Sequence, residues 1–170
     1  MRRARLTIGT VAAILVAVGL VAAQAEPQFA GTWVLDPAQS QLPAHAHKYS
    51  DAQAERPDIK LVVEQQGNVL KTTRTVARGS RERSLTETFV ADGTDQTQAA
   101  RHGTVVTRAV FDGDRLVVIG SYAMKGEHGD KTMSRQSVWS LSPNGTVLTI
   151  ETTLQTPRGA HNIKTVYTRS

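Results

Sequence analysis

Punctuation constrains this chain more than composition does. From Ile59 onward, β-rich runs alternate with short turn signals. IKLVVEQQ meets Gly67-Asn68 and resumes as VLKTTRTVA; a turn at Arg78–Arg81 precedes ERSLTETFV; Asp92-Gly93 follows. TVVTRAVF runs into Asp112-Gly113-Asp114 and RLVVIGSYAM, GEHGD leads to MSRQSVWSL, Ser142-Pro143-Asn144-Gly145 to TVLTIETTLQ, and Pro157-Arg158-Gly159 to AHNIKTVYTR. Asn-Gly and Asp-Gly between β-rich runs signal tight hairpins, because such turns need positive φ. The runs are rich in Thr and Val, whose branched side chains suit a pleated surface. No segment carries a helical apolar period. The pattern predicts an all-β antiparallel meander of about eight to ten strands.

Alternation divides the strands into faces. Leu85, Glu87 and Phe89 share one; Val105, Thr107, Ala109 and Phe111 share another. Met133, Arg135, Ser137, Trp139 and Leu141 form a third set, and Leu148, Ile150, Thr152 and Leu154 a fourth. A long sheet with one apolar face must close on itself or fold over. A meander closes most simply as an up-and-down barrel, which at this size can hold one small ligand.

The first 25 residues stand apart from the fold. Arg2, Arg3 and Arg5 precede an apolar run that closes on Ala23-Gln24-Ala25. A basic start, an apolar core and an A-x-A end read as a secretory signal peptide, with cleavage expected after Ala25 and export to the periplasm or medium. The alternative is a membrane anchor: Leu6 to Ala23 is at the lower limit for a span, but no basic stop-transfer flank follows it. Residues 26–170 then form one domain with no membrane span. The signal holds three of the 20 basic residues, so 17 face 15 acidic ones and the mature charge is +2. That balance, without a basic patch interleaved with aromatics, argues against a nucleic-acid partner. There is no cysteine, so the core alone must hold the exported domain together.

Near the mature N-terminus, FAGTWVLD contains Gly31-Thr32-Trp33. This resembles the G-x-W motif that begins the first strand of lipocalins and related calycin barrels. With Ser40, a Pro-containing loop, R-x-x-x-W-x-L-S and P-N-G-T-x-L-T-I added, the chain is similar over most of 28–170 to small exported bacterial lipocalin-like proteins whose function is not established. The resemblance implies that Trp33, with Gly31 before it, plugs the closed end of a barrel beneath the ligand cavity, against an Arg from a late strand; Arg135 and Arg169 both qualify. The other lipocalin motifs are not recognisable. On physical grounds alone Trp33 is a core residue whose indole N–H needs an acceptor.

Catalytic and metal signatures are thin. His45-Ala46-His47 could place two imidazoles on one side of an extended segment. A metal centre needs more ligands, and no spacing selects among Asp51, His102, His128 and His161. His128 lies between carboxylates in GEHGD, a composition that also suits a polar hairpin tip. There is no G-x-S-x-G, S-x-x-K or Gly-rich phosphate loop. No cofactor is implied, and the chain reads as non-enzymatic.

Glu87, Thr107 and Arg135 fall on faces otherwise lined by residues such as Phe89 and Phe111. Buried charge is costly unless paired. These five residues therefore predict a solvated cavity that takes a small, partly apolar ligand with a polar end. The competing expectation is a filled interior in which Glu87 pairs with Arg135. A filled barrel would leave recognition to the hairpin tips and the 37–58 loop, making the protein an interaction or inhibitor module.

Overall fold

The computed structural model describes residues 26–42, 57–100, 103–124 and 131–170. The signal segment, His45, His47, Asp51, His102 and His128 lie outside the described residues. Ten antiparallel strands follow one another: β1 (Gly31–Leu35), β2 (Asp58–Gln66), β3 (Val69–Arg78), β4 (Arg81–Val90), β5 (Asp92–Ala100), β6 (Gly103–Asp112), β7 (Arg115–Met124), β8 (Lys131–Leu141), β9 (Val147–Thr156) and β10 (Gly159–Arg169).

They form one sheet in the order β4-β3-β2-β1-β10-β9-β8-β7-β6-β5. The short β1 joins the two halves, pairing Trp33 with both Leu61 of β2 and Arg169 of β10. The sheet curls into a nearly closed up-and-down barrel whose free edges are β4 and β5, with β4 approaching β6. The hairpin signals at 67–68, 113–114 and 142–146 mark turns at one end. Those at 79–80 and 157–158 mark turns at the other.

Two local readings need correction. Asp92-Gly93 is not a hairpin turn: β4 and β5 are consecutive in sequence yet do not pair. Gly93, with a φ of 77°, sits in a bulge where the β5–β6 register slips between Asp92 and Asp95, and Asp92 Oδ1 accepts from the Thr94 backbone N–H at 2.8 Å. β5 itself, DGTDQTQAA, carries no apolar alternation that would have announced it. It is held as a polar edge by its pairing with β6, including an Arg108–Asp95 contact of 2.8 Å.

The core gathers toward the end that carries the chain termini. Phe29, Trp33, Leu70, Leu116 and Leu148 are fully buried there. Trp139 meets Phe29 and Phe89 edge-on, with ring centroids 6.1 and 6.3 Å apart. Such edge-to-face pairs contribute about 0.5–1.5 kcal/mol each beyond area burial.

Candidate functional site: a half-open barrel cavity

The inner face changes chemistry along each strand. From the closed end outward, β3 presents Leu70, Thr72 and Arg74; β4 presents Phe89 and Glu87; β8 presents Trp139, Ser137 and Arg135; β10 presents Tyr167, Thr165 and Ile163. The period of two in each strand keeps these side chains on one face. Register then aligns them into layers. Leu70 lies opposite Phe89, Thr72 opposite Glu87, and Ser137 opposite Thr152 of β9.

At the closed end, Trp33 is 0% exposed and its indole Nε1–H donates to the Phe29 carbonyl at 3.0 Å. Of the two arginines compatible with the sequence, Arg169 is the one stacked on it, with its guanidinium carbon 4.2 Å from the ring centroid. Its Nη1 donates to the Ala30 carbonyl at 2.8 Å and its Nε to the Gly145 carbonyl at 2.9 Å. One side chain thus ties the leading segment to the β8–β9 turn. Gly31 leaves the room that this arrangement uses. Its φ is 149°, and a Cβ there would collide with the Arg169 Nη1.

Above this floor is a cavity of about 230 Å³. Phe89, Trp139, Val118 and Ile150 supply apolar surface, and Thr72, Ser137, Thr152 and Thr165 a belt of hydroxyls. The belt is internally satisfied. Thr72 donates to the Glu87 carbonyl at 3.3 Å, Ser137 and Thr152 share a 2.9 Å bond, and Thr165 donates to the Ile150 carbonyl at 3.4 Å. Among the described residues no buried side-chain polar atom lacks a partner.

Glu87 and Arg135 meet across the lumen, with Arg135 Nη2 donating to Glu87 Oε1 at 2.9 Å. Their strands are not neighbours in the sheet. Both side chains are 37% exposed, so water reaches the pair and the cavity opens beside it. Arg74 lines the same space. Burial pushes the Tyr167 phenol above its usual range, with the Thr165 hydroxyl and the Arg74 charge pulling part of the way back. Tyr167 is therefore a neutral hydroxyl at ordinary pH.

Of the five cavity residues expected from the sequence, Glu87, Phe89 and Arg135 line this space. Thr107 and Phe111 do not. Thr107 pairs across to Gly120, which in turn faces Arg135, and Phe111 packs against the buried core. Pairing of Glu87 with Arg135 and an open cavity were opposed expectations, yet both hold. Thr72, Arg74, Thr165 and Tyr167 also line the cavity, on β3 and β10, whose mixed polar and apolar alternation marks no inner face as plainly as that of β8 or β9. The alternation Leu70, Thr72, Arg74 after the Gly67-Asn68 turn was the available signal. Leu85 shares the Glu87 face but is 49% exposed, beyond the packed part of the barrel. No cluster of three or more metal-ligating side chains occurs among the described residues.

No protein-family model matches the sequence, and no curated protein matches it. Solved structures do match. Zebrafish ileal bile acid-binding protein complexed with cholic acid is 14% identical, with a TM-score of 0.53, and the match covers 84% of this chain and 98% of that one. A secretory abundant heat soluble protein from Ramazzottius varieornatus is 11% identical with a TM-score of 0.52, covering 86% of this chain and 98% of that one. Secretory abundant heat soluble protein 4 from the same organism is also 11% identical at 0.52, covering 83% and 94%. At these identities the likeness is one of fold: a ten-stranded, nearly closed barrel of the calycin type.

Proposed function

We propose that this chain is an exported, non-catalytic binding protein that holds a small, partly apolar ligand inside its barrel. The observation that carries the reading is the cavity: apolar at its floor, hydroxylated at its waist and charged where water enters. Its volume of about 230 Å³ far exceeds the roughly 10–15 Å³ that a single water requires. It falls just below the range of about 300–1,000 Å³ usual for drug-sized ligands, which suits a small amphiphile. The fold neighbour solved with cholic acid supports the same class of ligand. Export rests on the sequence from Met1 to Ala25.

Native mass spectrometry of the protein recovered from its host envelope tests both parts. The expected result is a species beginning at Glu26 that carries a co-purified small molecule, or that takes up a fluorescent amphiphile in one-to-one ratio. A bare protein that takes up no amphiphile would remove the binding reading. Retention of residues 1–25 would remove the export reading.

A further inference from the structure

Three ionisable side chains from separate strands bring formal charge to the cavity wall: Arg74 on β3, Glu87 on β4 and Arg135 on β8. They are not equivalent. Arg135 is committed to Glu87 at 2.9 Å, and the two charges cancel. Arg74 has no hydrogen bond or ion pair among the described residues. It occupies an inward position two residues beyond the buried Thr72 and is close enough for its charge to act on the Tyr167 hydroxyl. The cavity thus has one uncompensated positive charge, on the wall opposite the arginine that a charge count would first suggest.

We propose that Arg74 receives the anionic end of the ligand and that Glu87 is a built-in counter-ion that keeps Arg135 from doing so. The proposal rests on the binding reading above and narrows it to singly charged anionic amphiphiles. Arg74 is exposed where the cavity meets water, and its guanidinium offers paired donors that match a carboxylate. Tyr167, a protonated donor that lines the same cavity and feels the Arg74 charge, supplies a second hydrogen bond. A second anion at Arg135 would first have to displace a carboxylate tethered to the chain at high effective concentration.

Calorimetric titration of the protein, expressed from the full-length chain, with octanoate and octan-1-ol separates the possibilities. Arg74→Gln should weaken octanoate about tenfold and leave octan-1-ol unchanged. The double variant Glu87→Gln/Arg135→Gln, which removes the pair without changing net charge, should bind octanoate within about twofold of the parent. Glu87→Gln alone frees Arg135 and should tighten octanoate by about tenfold. If Arg74→Gln is silent and the double variant loses octanoate, Arg135 is the receptor and the proposal falls while ligand binding stands. If Glu87→Gln leaves octanoate unchanged, the counter-ion role falls. If the parent protein takes up neither probe, the binding reading fails and takes the proposal with it.

Discussion

The two ends of this barrel solve opposite problems with the same kinds of residue. Each relies on arginine side chains. At the closed end Arg169 stacks on Trp33, and two of its hydrogen bonds go to backbone carbonyls. At the open end Arg135 spends its visible hydrogen bond on Glu87, a side chain that can turn away, and Arg74 spends none among the described residues. The Ala30 and Gly145 carbonyls belong to backbone next to β1 and in the β8–β9 turn, which cannot rotate away as a side chain can, so an arginine held by them is structural. An arginine held by a half-exposed carboxylate is neutralised by a side chain and not locked by the backbone. The difference lies in the partners, since the guanidinium is the same.

That contrast can be broken most forcefully at Trp33. Trp33→Ala should destabilise the fold by about 3–5 kcal/mol, read from urea unfolding, because it empties a fully buried site. A loss below about 1 kcal/mol would mean that the closed end is not the anchor. Gly31→Ala comes next, at about 1–3 kcal/mol, since it imposes a disfavoured backbone and displaces Arg169. The same unfolding series applies, and a neutral result would show that Arg169 can move without cost. Glu87→Gln should be much milder than either substitution. Its pair is more than a third exposed on each side, so the stability change should stay under about 1 kcal/mol. A thermal shift corresponding to about 3 kcal/mol would make the pair a strut and erase the contrast.

The smallest expected effect concerns Tyr167. Its folded pKa lies above the unfolded value of about 10. A raised pKa means that the contribution is fully present below the unfolded value and is lost as pH rises through the folded one. Unfolding midpoints should therefore fall on the alkaline side, from about pH 10 upward, and Tyr167→Phe should flatten that decline. An unchanged alkaline slope in the variant would show that the phenol is not shielded.

Much of this was legible beforehand. Period-two patterning in VLTIETTLQ and MSRQSVWSL placed Ile150, Thr152, Arg135 and Trp139 on one face, as the register aligns them. Turn residues located the hairpins at 67–68, 113–114 and 142–146, because positive φ leaves a compositional mark, but the same mark at Asp92-Gly93 belongs to a bulge. Thr107 and Phe111 do not line the cavity with the other three, for a clear reason. Alternation says which side of the sheet a residue faces, but not how far around the barrel or how far along its axis it sits. Both point inward, yet Thr107 is on β6, two strands from Arg135, and Phe111 is absorbed into the core. The edge strand β5 left no trace because a polar edge needs no apolar rhythm.

By itself, the sequence determined an all-β meander, an inward and an outward face for most strands, and a tryptophan committed to the core. Those are properties of short windows, set by turn stereochemistry and the two-residue repeat of the strand. Only the tertiary structure decided that Arg169 rather than Arg135 covers Trp33, that β4 and β5 remain unpaired, and that Glu87 reaches Arg135 across the lumen while Arg74 has no partner among the described residues. Each depends on how the whole sheet assembles and curls, which for Glu87 and Arg135 brings residues 48 positions apart into contact. No local pattern encodes a distance across a barrel.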